Sequence, residues 1–79
     1  METDLILSKK EQILNFIRVR HYCRTSDVIK FGLSIYTTRG DRYARDLARE
    51  GRIRRMDEWN KKMLFKDIRE EIWEWIEKS

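Results

Sequence analysis

The chain has 79 residues, 41% of them apolar, with three each of Trp, Tyr and Phe, three Gly and no Pro. That is one domain's length with enough apolar material for a small core, and it excludes two domains or a disordered polymer. The formal net charge is +4, and the single Cys23 excludes an internal disulfide framework, which points to a reducing, cytoplasmic compartment. No apolar run is longer than three residues, as in Leu5-Ile6-Leu7, far short of a membrane span or a signal-peptide core, so a soluble protein without membrane attachment is expected.

The charge is unevenly placed. Residues 39–55 hold seven Arg against Asp41, Asp46 and Glu50, and so carry the whole net +4, whereas residues 67–79 are net acidic by three charges. A molecule basic at one end and acidic at the other is suited to meeting a polyanion in a fixed orientation.

Ser8-Lys9-Lys10-Glu11 has the capping-box pattern, in which the Ser8 hydroxyl accepts from the Glu11 N–H and the Glu11 carboxylate reaches back to Ser8. A helix is predicted over 9–20, with Ile13, Leu14, Ile17 and His21 within about 100° of one another as its buried face. Phe16 and Val19 fall outside that stripe and are left to meet either another element of the same chain or a second subunit. Thr25 or Ser26 can cap a second, short helix, with Asp27 in its first turn and Gly32 placed to end it. Thr37 or Thr38 then caps a third helix, predicted over 38–50 and terminated by Gly51.

In the third helix Gly40, Tyr43, Ala44 and Leu47 share one direction, and the two small residues suit close packing against another helix. Arg42, Arg45 and Arg49 stand nearly opposite, with Arg39 and Asp46 to one flank. A β-hairpin is predicted over 52–66: Arg52 to Met56, a polar turn from Asp57 to Lys62, then Met63-Leu64-Phe65. Asp67-Ile68-Arg69-Glu70 repeats the capping logic, and Ile68, Ile72, Trp75 and Ile76 sit at i, i+4, i+7 and i+8, which predicts a final amphipathic helix over 67–79. The fold class expected is mainly α with a small β-hairpin (α+β). Ile13, Leu14, Ile17, Val28, Tyr43, Leu47, Ile53 and Leu64 should form one core.

Two runs, Thr25-Ser-Asp-Val-Ile-Lys-Phe-Gly32 and Tyr36-Thr-Thr-Arg-Gly-Asp-Arg-Tyr-Ala-Arg-Asp-Leu-Ala-Arg-Glu-Gly-Arg-Ile53, make the chain from Ser8 to Phe65 resemble the winged helix-turn-helix family. The resemblance implies a core winged helix over 8–66 with the 67–79 helix added, all in a single domain spanning 1–79. It departs from the simplest helix-turn-helix in the six residues from Gly32 to Thr37, longer than a 3–4 residue turn. It implies a partner, double-stranded DNA, and a cytoplasmic regulator or architectural factor of a prokaryotic host or its mobile elements.

The chemistry agrees with that implication. A helix fits the major groove, where the planar Arg fork can bond guanine O6 and N7, so Arg42, Arg45 and Arg49 are the candidates for base contacts. Thr37, Thr38 and Arg39 at the helix start are placed for phosphates, as are Arg54, Arg55, Lys61 and Lys62 on the hairpin. The opposing reading is an ordinary solvated face, since Asp41, Asp46 and Glu50 could pair with Arg45, Arg42 and Arg49.

Trp73 widens the apolar arc of the final helix, so a two-fold homodimer through Ile68, Ile72, Trp73, Trp75 and Ile76 is expected, with the recognition helices roughly 34 Å apart. The other reading folds Trp73 and Trp75 back onto Phe16 and Val19 within one subunit. An adaptor binding a protein through this helix is the chief functional alternative. RNA binding is less favoured, because no aromatics for base stacking interleave with the Arg stripe. His21 and Cys23 are too few ligands for zinc and are expected in the core, and no Gly-rich phosphate loop is present. No enzyme activity, cofactor, metal or small-molecule ligand is expected.

Overall fold

The computed structural model describes residues 7–66 and 68–76. Helix α1 spans Lys9–Arg20 and starts as its sequence dictates, the Ser8 hydroxyl accepting from the Glu11 N–H at 3.1 Å. The second half of the capping box does not form, because the Glu11 carboxylate accepts instead from Arg52 at 2.7 Å. Ile13, Leu14 and Ile17 are buried. His21 is not: it is exposed and closes the helix at φ 70°, turning the chain into strand β1, Tyr22–Arg24, which the sequence reading missed. Phe16 meets its own chain, stacking on Phe31 with centroids 4.4 Å apart, while Val19 stays exposed.

Helix α2 spans Thr25–Ser34. Thr25 and Ser26 lie in its first turn rather than at the cap, and the unpaired N–H groups there are served from far along the chain. The Ser26 N–H donates to the Glu70 carboxylate at 2.7 Å, and the Thr25 N–H and hydroxyl both donate to the Glu71 carbonyl. Gly32 does not end the helix. It is buried, and a Cβ there would sit 3.3 Å from the Gly40 Cα, so the glycine eases the close approach of α2 to α3. The turn that follows carries Tyr36 at φ 65°.

Helix α3 spans Gly40–Arg49, two residues later than expected, and Gly40 packs so tightly that an added Cβ would lie 2.9 Å from the Val28 carbonyl oxygen. Its C-terminus has the two bonds of a Schellman motif: Gly51 N–H to Ala48 O and Arg52 N–H to Leu47 O, each 3.0 Å, with Gly51 at φ 80°. Ala44 and Leu47 are fully buried and Tyr43 is half-buried.

The last third departs from expectation. Strand β2 is Ile53–Arg55, but residues 57–65 form no turn and second strand; Asp57 caps a helix, α4 (Glu58–Leu64), accepting from the Asn60 N–H at 2.8 Å and the Asn60 side chain at 3.0 Å. The final amphipathic helix is absent among the described residues, and Ile72–Trp75 is strand β3. This strand is the centre of an antiparallel sheet ordered β1-β3-β2, with Cys23 opposite Trp73 and Trp73 opposite Arg55. The physical reason is that Ile-Trp-Glu-Trp is β-branched and aromatic, and two short edge strands need a partner between them. The helical spacing of Ile72, Trp75 and Ile76 is real but loses to that pairing. Residues 67 and 77–79 of the expected helix lie outside the described residues.

The fold is therefore α+β, with four helices and a three-stranded antiparallel sheet among the described residues, compatible with a small winged-helix-like domain. One core joins Ile13, Leu14, Ile17, Val28, Ala44 and Leu47 from the helices with Cys23, Ile53 and Trp73 from the sheet. Leu64, expected in it, is 53% exposed on α4. Among the described residues no dimerisation helix forms: Ile72 and Trp73 are buried within their own chain, and Ile68, Trp75 and Ile76 are half-buried. Among the described residues no helix is long and apolar enough to cross a membrane.

Candidate nucleic-acid interface

Because Gly40, Ala44 and Leu47 fix one side of α3 in the core, the 3.6-residue period turns Arg42, Arg45 and Arg49 to solvent. All three are exposed, in the phase expected from the sequence. Two have partners on the same helix, Arg45 with Asp41 at 3.8 Å and Arg49 with Asp46 at 3.6 Å, leaving the arginine side chains 67% and 80% exposed. Solvated pairs of this kind contribute roughly 0–1 kcal/mol, so they hold a guanidinium in place without withdrawing it from a stronger anion. Arg42 has no ion-pair partner among the described residues, nor does Arg39. Thr37 is half-buried and its hydroxyl accepts from the Arg39 N–H at 3.2 Å, while Thr38 is exposed beside it.

Strand β2 supplies the second group of cations. Arg54 and Arg55 are exposed and each pairs with β3 or the residue just before it, Arg54 with Glu74 at 3.3 Å and Arg55 with Glu71 at 3.0 Å. The two lysines expected beside them separate. Lys62 is exposed on α4, but Lys61 is buried and pairs with Glu58 at 3.7 Å, because the segment is a helix and not the tip of a hairpin.

Between α3 and β2 lies an open groove of about 440 Å³, lined by Arg45, Ala48, Arg49, Ile53, Arg54, Arg55 and Trp73. The Arg55 guanidinium stands 5.9 Å from the centre of a Trp73 ring, in cation–π range. The Trp73 indole Nε1–H is buried without an acceptor. An unmade hydrogen bond of that kind costs about 1–3 kcal/mol. The sequence reading gave Trp73 to a dimer interface and missed Glu71 and Glu74 as arginine partners. The available signal was the alternation of Trp73, Glu74 and Trp75, which sets Glu74 and Trp73 on opposite faces of a strand.

Other chemistry is quiet. Burial, reinforced by the charge of Asp27, pushes the Cys23 thiol up to about 12, so it stays protonated and is neither nucleophile nor thiolate ligand at neutral pH. The Arg52 guanidinium, bonded to Glu11, holds that carboxyl below its usual range. Among the described residues no three His, Cys, Asp or Glu side chains are grouped to hold a metal ion.

The model of one family, FaeA-like protein, matches residues 9–58, from the first residue of α1 to the first of α4. That stretch includes α2, α3 and the arginines of β2, and the match is consistent with a helix-turn-helix family of regulators. No curated protein and no solved structure matches the chain.

Proposed function

The chain belongs to the FaeA-like family, and from that premise we propose that it binds double-stranded DNA in a sequence-dependent manner as a small transcriptional regulator or architectural factor. Helix α3 enters the major groove, and β2 with α4 and β3 forms a wing along the backbone. The observation that carries this reading is the set Arg42, Arg45 and Arg49, all exposed on the side of α3 opposite its fully packed face. The planar forks of Arg42 and Arg45 suit guanine edges, and Arg39, Arg54, Arg55 and Lys62 suit phosphates. The wing differs from a bare hairpin in holding a helix at its tip, so its cations come from β2 and from Lys62 rather than from Lys61.

The competing adaptor reading depended on a C-terminal helix presenting Trp73. With Trp73 in the core that surface is gone, and the exposed apolar side chains that remain in this part of the chain, Trp59, Met63 and Leu64, lie on α4 instead.

The test is selection of bound duplexes from a random pool at low salt, followed by a salt series on the selected and a scrambled duplex. Arg45→Ala should cost about 1–3 kcal/mol on the selected duplex and narrow the gap between the two. Arg54→Ala should weaken both alike. Wild-type protein that retards no duplex at low salt, or an Arg42→Ala/Arg45→Ala variant that binds as wild type does, would overturn the proposal.

A further inference from the structure

Helix α4 and the residues just after it line a pocket of about 350 Å³, formed by Glu58, Lys61, Lys62, Phe65, Lys66 and Ile68. That is the small end of the volumes that hold organic ligands, about 300–1,000 Å³. The pocket shares no lining residue with the groove between α3 and β2. Three lysines against one acid make it electropositive, while Phe65 and Ile68, both half-buried, give it an apolar wall. The Phe65 ring is held by an edge-to-face contact with Tyr22, centroids 5.5 Å apart.

Lys61 sets this pocket apart from a patch of surface lysines. Its side chain is only 8% exposed, yet its ammonium makes no hydrogen bond among the described residues; Glu58, its carboxylate partner, stands 3.7 Å away and is itself 80% exposed. Lysine is seldom buried so far without a close partner. The ammonium is not sealed, since the buried polar side-chain atom without a partner among the described residues is Trp73 Nε1, so Lys61 Nζ opens into the pocket that Lys61 and Glu58 both line. The stem is packed while the charged head is left to solvent. An anion meeting that head need not freeze a free lysine side chain, and so avoids one of the costs of binding.

We infer that this pocket binds a small organic anion, a carboxylate carried on an apolar body. Lys61 Nζ donates to the carboxylate, Lys62 and Lys66 add positive charge, and Phe65 and Ile68 receive the apolar part. A backbone phosphate of a duplex fits less well. It brings nothing apolar to set against Phe65 and Ile68, and a duplex reaches cations that project, as Lys62 does, before one withdrawn to 8% exposure. The site goes beyond the DNA-binding reading and does not depend on it. It departs from the expectation of no small-molecule ligand because residues 57–65 were there a hairpin turn and strand, and only as a helix do they bring Glu58, Lys61, Lys62 and Phe65 to one side.

The experiment records proton–nitrogen correlation spectra of the full chain with increasing phenylacetate, acetate or phenylacetamide at constant ionic strength. Phenylacetate should shift the amides of residues 58–68 saturably. Acetate, which lacks the ring, and phenylacetamide, which lacks the charge, should each bind about tenfold more weakly or worse. Lys61→Met keeps the packed stem, removes the charge and should weaken phenylacetate by about tenfold. Lys30→Met removes an exposed cation on α2, outside the pocket, and should change nothing. If the spectrum of Lys61→Met shows an unfolded chain, Lys66→Gln carries the test, with an expected loss of about threefold. Phenylacetate that leaves residues 58–68 unmoved, equal binding of the three probes, or a folded Lys61→Met chain that binds as wild type does overturns the inference. So does a short duplex that displaces phenylacetate and loses affinity in Lys61→Met, because the pocket is then a contact to the DNA backbone. A chain that binds phenylacetate in the expected order but retards no duplex upholds the pocket while the DNA-binding proposal falls.

Discussion

The α2–α3 pair and the β2–α4–β3 segment carry the two groups of arginines, yet they are built on different principles. In the helix pair the decisive contacts are short-range and steric: Gly32 meets Gly40, Gly40 meets the Val28 carbonyl, and Gly51 closes α3 at φ 80°. In the wing the decisive contacts are long-range. Strand β3 pairs with residues 18 to 52 positions earlier, and Glu70 and Glu71 reach the first turn of α2. The arginines of α3 are thus aimed by a helix whose orientation two small residues determine. Those of β2 are aimed by a strand that exists only once β3 has paired with it.

Removing Trp73 tests the wing most severely. Trp73→Ala deletes a 2%-exposed side chain from the centre of the sheet and should destabilise the monomer by about 3–5 kcal/mol, a large share of what a domain this small holds. Urea denaturation at two protein concentrations reads it. A loss that appears only as weaker self-association, with the monomer's midpoint unchanged, would return Trp73 to an intermolecular role. Gly40→Ala tests the helix pair on a smaller scale. The new methyl would lie 2.9 Å from a backbone oxygen that has no flexible side chain to yield, so α3 must shift from α2 at a cost of about 1–3 kcal/mol. Because that shift moves the α3 arginines, proposed above to meet bases, and not β2, the variant should lose discrimination between selected and scrambled duplexes faster than it loses backbone affinity. Equal losses on both duplexes would show that the two arginine groups move as one body.

The same division decides what could be read from sequence. Helix α1 with its Ser8 cap, the core phase of α3 and the outward Arg42, Arg45 and Arg49 were legible, since each follows from residues within a few positions of one another. Gly32 was misread as a terminator because its reason, the approach of Gly40, lies across a helix crossing. His21 was assigned to the core by its place on the α1 stripe, but the helix ends there and the stripe no longer applies. The wing was largely illegible. Asp57-x-x-Asn60 is a capping pattern that outweighed a polar turn, and α4 took Lys61 inward with it. Strand β3 satisfied a helical spacing and a strand alternation at once, and only its pairing with β1 and β2, invisible locally, selected the strand.

A third test joins the two regions at Cys23, opposite Trp73 in the sheet and packed in the helical core, and its effect on the wild type is confined to alkaline pH. Burial raises the thiol from 9.0 to about 12, so between those values the unfolded chain loses a proton that the folded chain keeps. For an acid whose folded pKa is raised, the stabilisation is complete below the unfolded value and is lost as pH rises above it. Stability should therefore fall above about pH 9, by up to about 1.4 kcal/mol per pH unit from this group, levelling near pH 12. The quantity that isolates this group is the difference between wild type and Cys23→Ala. The variant starts less stable because it opens a small cavity, but its stability should decline less steeply over pH 9–11 in urea denaturation. Parallel declines would mean that water reaches the thiol in the folded state. The seam between sheet and helices would then be looser than the burial of Cys23, Ile53 and Trp73 requires, and the wing would be free to move its arginines independently of α3.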